Sequence, residues 1–174
     1  PSTNDILSAI EKINSKKVFV LPNNGNIILA AEQAAKLCKD KEVYVIPTKT
    51  VPEGITAVIN YSDTEDAKEE AHLMTESIKS VKTAVVTYAV RDTEYGDLKI
   101  KEGDIIGMSG KEILSVSQNI SDNVKDLITK VADSDSEIIS IYYGEDVSKA
   151  DAENIAEFIE EKYPDCEVEL QCGN

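Results

Sequence analysis

The sequence predicts an α/β fold, with a mostly parallel central sheet flanked by helices and an antiparallel hairpin excursion. Three observations predict it. β-rich apolar runs alternate with segments of helical apolar period along the chain. Two of those runs, Val18-Phe19-Val20-Leu21-Pro22 and Val43-Tyr44-Val45-Ile46-Pro47, share one pattern at an offset of 25 residues. Successive strands of a parallel sheet, joined by a right-handed helical crossover, read this way. Between about 92 and 116 the rhythm breaks, and glycines at 96, 103, 107 and 110 punctuate short strand-like runs. Hairpins account for that segment.

The elements follow in order. Thr3 to Ile13 reads as a short helix, with Thr3 or Asn4 as cap and Ile6, Leu7, Ile10 and Ile13 on one face. "VFVLP" reads as a buried parallel strand. "NIILAAEQAAKLC" is helical, with small alanines that let it lie close to a sheet. "EVYVIP" is the second strand, and both strands stop at a proline because proline cannot donate to the ladder. "VPEGITAVINY" reads as a short helix. Ala67, Ala71, Met74, Ile78 and Val81 keep a 4-3-4-3 rhythm and mark another. "KTAVVTYAVRD" is a strand, and Ser109-Gly110 turns the chain between "DIIGM" and "KEILSV". Ile120, Val124, Leu127, Ile128 and Val131 mark a helix, and "EIISIYYG" a strand. Ser148, three residues before Asp151, opens the last long helix as a variant capping box. "CEVELQC" closes the sheet. No linker or low-complexity stretch divides residues 1–174, so a single α/β domain is expected, with the hairpin excursion at about 92–116.

Composition narrows the function. Hydrophobic residues make up 41% and charged residues 29% of the 174, ordinary for a globular chain. Lys+Arg total 18 against Asp+Glu 33, a net charge of −15. Phosphates would be repelled, which argues against nucleic acid and against an anionic membrane surface, while a basic protein partner is allowed. No apolar run is long enough for membrane insertion, and the N-terminus has no signal-peptide pattern. Cys38, Cys166 and Cys172 are too scattered for a disulfide framework or a zinc site, so a reducing, cytoplasmic setting is expected.

Polar residues follow both prolines: Asn23, Asn24 and Asn26 after the first, Thr48, Lys49 and Thr50 after the second. Parallel strands would put the two clusters on one edge, outside the carboxyl ends of the strands, where open α/β sheets bind ligands. Helix N-termini there also favour anions. The competing reading makes one Asn a helix cap and Gly25 a turn residue. Arg91, the sole arginine, followed by Asp92, could clamp a carboxylate or phosphate, or merely pair with Asp92 or Glu94 at the surface.

Other features carry less. "GMSGKE" is not a phosphate loop, since Ile105 stands where the first glycine belongs and Glu112 follows Lys111. His72 sits on a charged helical face and reads as solvated. Tyr143, Glu145 and Asp146, at another strand end, read as compensation of a helix dipole, or as an acidic docking face.

"VFVLPNNGNIILAAEQAAKL", "VYVIPTKTVPEGITAVINY", "VTYAVRDTEYGDLKIKEGDIIGMSGKEI" and "YGEDVSKADAENIAEFIEEKYPDCEVELQCGN" together span nearly the whole chain. They resemble the C-terminal region of the dihydroxyacetone-kinase-related proteins, the kinase subunit of bacterial fatty acid kinase, with a DegV-like fold. The resemblance implies a fragment of a longer kinase-family protein. It implies Mg-ATP for a kinase domain that lies outside this sequence, and no cofactor for the sequence itself. It also implies a separate DegV-like fatty-acid-binding protein as partner, and allows a homodimer.

Two functions are therefore expected in competition. One is a non-catalytic module that docks the DegV-like carrier, or mediates assembly of the subunits, during acyl phosphate formation. The other is a small-ligand domain that binds an anion or lipid headgroup. Either would use the strand-end edge: Asn23, Asn24, Asn26, Thr48, Lys49, Thr50, Arg91 and Asp92.

Overall fold

The computed structural model describes residues 1–173. It is a mixed α/β chain whose strands fall into small sheets, among the described residues, rather than one central parallel sheet. The chain sorts into two compact units, Pro1–Thr83 and Ala84–Asn174.

In the first unit, β1 (Lys17–Val20) and β2 (Glu42–Val45) pair in parallel. Val18 lies opposite Val43, Phe19 opposite Tyr44 and Val20 opposite Val45, so the twin motifs run side by side in the expected register. Alternation sends successive residues to opposite faces. Val18, Val20 and Val43 pack with Ile10 of α1 (Thr3–Lys12) and Ala34 of α2 (Ile28–Leu37). Phe19, Leu21 and Ile46 pack with Ala57 of α3 (Val51–Ile59) and with Met74 of α4 (Ala67–Ser77). The aromatic pair Phe19 and Tyr44 stack with ring centroids 5.6 Å apart.

The caps differ in detail from the expected ones. Ser2, not Thr3 or Asn4, caps α1, in a reciprocal box with Asp5. The far end of α1 is closed from outside the helix, because the Lys41 ammonium donates to the carbonyls of Ile10 (2.7 Å) and Glu11 (2.9 Å). A cation there also complements the helix dipole. Asp66 caps α4.

In the second unit, β3 (Val85–Tyr88), β6 (Ile105–Ser109) and β7 (Glu112–Ser117) form an antiparallel sheet, and β4 (Thr93–Tyr95) pairs with β5 (Leu98–Ile100). These are the expected hairpins. Gly96 and Gly110 turn them at φ +58° and +60°, a region glycine enters without strain. α5 (Ile120–Val131), capped by Asn119, packs on β6 and β7. β8 (Ile138–Tyr143), α6 (Lys149–Lys162) and β9 (Glu167–Cys172) make a parallel βαβ unit. Its core joins Ile139 and Ile141 to Ile155 and Ile159, with Val124 and Ile128 of α5 against them. Ser148 caps α6 as the sequence predicts, its hydroxyl accepting the Asp151 N–H, but the Asp151 carboxylate accepts from that same hydroxyl and not from the Ser148 backbone N–H that a full capping box would use.

Candidate functional site

A hydrogen bond joins the two halves of the strand-end cluster in the first unit. The backbone N–H of Asn23 donates to the Thr48 hydroxyl over 3.0 Å, and Thr48 is fully buried. Asn23 adopts φ +54°, a left-handed conformation that asparagine tolerates better than most residues. Its side chain lies against α3: a Cβ on Gly54 would stand 2.1 Å from Asn23 Oδ1. That oxygen is buried and has no hydrogen-bond partner.

Asn24 shapes the next turn. Its side-chain oxygen accepts the Asn26 N–H at 2.9 Å, and its carbonyl accepts the Ile27 N–H at 3.0 Å. This Asx turn delivers the chain to α2, which starts at Ile28, two residues later than the apolar pattern alone places it. The cap position falls on Ile27, which offers no side-chain acceptor.

Thr50 caps α3, and its hydroxyl accepts the Glu53 N–H at 3.3 Å and meets the Thr83 hydroxyl at 3.0 Å. Glu53 reaches back to the Lys49 N–H at 2.5 Å. The anionic group that occupies the N-terminus of α3 is thus the protein's own carboxylate. Exposed at this edge are Asn24, Gly25, Asn26 and Lys49; Asn23 and Thr50 are half-buried.

Arg91 and Asp92 belong to the second unit, in the bend between β3 and β4. Both are exposed. Asp92 accepts the Glu102 N–H at 2.7 Å rather than pairing with Arg91. A shallow depression of about 320 Å³ beside it is lined by Asp92, Thr93, Glu94, Lys99, Ile100 and Lys101. His72 is exposed on α4, 4.0 Å from Glu76. Among the described residues, no group of three or more His, Cys, Asp or Glu side chains is placed to hold a metal ion. No helix among them is long and apolar enough to cross a membrane.

A family model for the C-terminal region of FakA-like fatty acid kinase subunits matches residues 1–174. The chain belongs to that family. Protein YloV of Bacillus subtilis (strain 168) is 42% identical to it over 173 residues, covering 99% of this chain and 31% of the relative. Uncharacterized proteins of Staphylococcus aureus, strains USA300 and NCTC 8325 / PS 47, are each 39% identical over 173 residues with the same coverage. The chain therefore spans about a third of the length of these curated relatives.

Two polar centres of this FakA-like chain escaped the sequence reading. Glu70 is buried, yet it accepts the N–H groups of Ser62 (3.0 Å) and Thr64 (2.9 Å). Those bonds hold its carboxyl below the usual carboxylate range, outweighing desolvation. Asn123, fully buried in α5, donates to the Ile105 carbonyl and accepts from Ser115. In sequence, Glu70 is one acidic residue of a charged helix and Asn123 one polar residue among "SDNVKD". Each breaks the polar face of its helix only by lying in the apolar stripe.

Proposed function

We propose that this chain is the C-terminal, non-catalytic module of a kinase of the fatty-acid-kinase type, and that it holds a DegV-like fatty-acid-binding protein in reach of the kinase chemistry. The supporting observation is the family match over the whole chain. The docking face in this reading is the strand-end edge of the first unit, where Asn24, Asn26 and Lys49 offer polar groups on a backbone fixed by the Asn23–Thr48 bond. A rigid edge of this kind suits protein contact, because little ordering remains to be done on binding. Phosphoryl transfer falls, in this proposal, to other parts of the whole protein, in the cytoplasm. The module then contributes effective concentration and orientation rather than a reacting group.

The test is calorimetric titration of the chain with the DegV-like carrier of the same organism in moderate salt. Saturable binding, weakened by Lys49→Glu and Asn26→Asp together, is the expected result. Absence of binding, with full activity in the whole kinase after deletion of this region, would remove the proposal.

A further inference from the structure

The negative charge is unevenly divided. Eight of the 18 Lys+Arg and 21 of the 33 Asp+Glu lie in Ala84–Asn174, so the second unit carries 8 − 21 = −13 of the net −15. The first unit is close to neutral.

Within the second unit, one face of the β8–β9 pair is bare. Ile139, Ile141 and Val168 turn inward to the α5 and α6 core. On the opposite face Ile138 is 60% exposed and Tyr142 41%, with Ser140 between them. The register places Glu167 beside Ile138, Glu169 beside Ser140 and Gln171 beside Tyr142, all exposed. Parallel strands are ordinarily covered on both faces, so an open parallel pair with apolar side chains is a surface built to be covered.

The same face says what covers it. Glu167 and Glu169 stand two residues apart on one side of a strand and repel each other. Neither has a cationic partner among the described residues; Glu169 accepts only the Ser140 hydroxyl, at 2.9 Å. A second copy would bring four such carboxylates together, and nucleic acid or an anionic lipid would add to the repulsion.

We propose that this face is the docking surface for a cationic protein partner. An apolar anchor of the partner seats on Ile138 and Tyr142, while its Lys or Arg side chains pair with Glu167 and Glu169. The charge of the surrounding unit steers the encounter, and the apolar pair supplies the desolvated centre that gives affinity. This inference stands apart from the strand-end edge and from the identity of any carrier.

The experiment is an amide chemical-shift titration of the full chain with a lysine-and-leucine amphipathic peptide, and with a glutamate-and-leucine counterpart. Shifts centred on Ile138, Ser140, Tyr142, Glu167 and Glu169, with the basic peptide alone, are expected. Ile138→Ser and the Glu167→Gln/Glu169→Gln pair should each weaken binding about tenfold, and added salt should weaken it further. Glu157→Gln/Glu160→Gln removes equal charge from the exposed face of α6 and should leave binding within about twofold. Equal losses from both charge pairs, shifts centred elsewhere, or no binding would overturn the proposal. So would a dimer, seen by sedimentation, that Ile138→Ser dissolves, since the face would then belong to a second copy.

Discussion

Asn23 and Thr48 join the two strand ends: the backbone N–H of one donates to the buried hydroxyl of the other over 3.0 Å. Each follows a proline by one residue, and the twin motifs place them 25 positions apart. Thr48→Val keeps the shape and removes the acceptor, leaving a half-buried N–H unpaired. The expected loss is about 1–2 kcal/mol, and Thr48→Ser, which retains the oxygen, should lose less. Urea unfolding of both variants checks this. Equal midpoints for valine and serine would show that the bond contributes nothing.

Gly54 and Asn23 give a steric prediction. A Cβ at Gly54 would sit 2.1 Å from Asn23 Oδ1 and 2.8 Å from Asn23 Cγ. Gly54→Ala should therefore cost about 1–3 kcal/mol through overpacking. Asn23→Gly removes the obstructing side chain together with its buried unpaired oxygen, and glycine accepts φ +54° without strain. In the Asn23→Gly background the alanine should cost much less, because helix interiors favour alanine over glycine. A double-mutant cycle measures the coupling, and strict additivity would sink the argument.

The legible part of this fold is what a local pattern can carry. The motif from Val18 to Pro22, repeated from Val43 to Pro47, forecasts a parallel pair in register, and the pairing of Val18 with Val43 bears that out. The glycines at 96 and 110 forecast hairpins, and both turn at positive φ. What was not legible is long-range. β-rich runs such as those of β1 and β8 look alike whether they share a sheet or not, and here they fall in separate parallel pairs. At the strand-end edge, the sequence shows three asparagines without roles. Asn24 closes a local turn, whereas Asn23 packs on Gly54, and that second role rests on a contact 31 residues away in the chain.

Glu70 should set part of the acid limb of stability. Its carboxyl titrates lower in the folded chain than its ordinary value of 4.5, because the Thr64 and Ser62 N–H groups bind the anion. A depressed folded-state pKa means stability present above the unfolded value and lost as pH falls below it. Glu70→Gln should therefore lower the urea midpoint at pH 7, with the gap to wild type narrowing as pH falls below about 4.5. A gap that stays constant from neutral to acid pH would mean that charge at this site is irrelevant.

Asn123 makes the sharpest prediction for the second unit. It is fully buried, donates to the Ile105 carbonyl at 2.8 Å and accepts from Ser115 Oγ at 2.8 Å. Gly107 keeps the space open, since a Cβ there would come within 2.1 Å of Ser115 Oγ and 2.6 Å of Asn123 Oδ1. Asn123→Leu leaves the Ser115 hydroxyl unpaired in the core and strips the Ile105 carbonyl of its side-chain donor, an expected loss of about 2–4 kcal/mol. Adding Ser115→Ala removes the unpaired hydroxyl, so the double variant should recover part of that loss instead of deepening it. Thermal unfolding followed by circular dichroism reads the difference. If the two substitutions simply add, the Ser115–Asn123 bond is not what makes this polar centre stable, and the Ile105 carbonyl alone accounts for the asparagine.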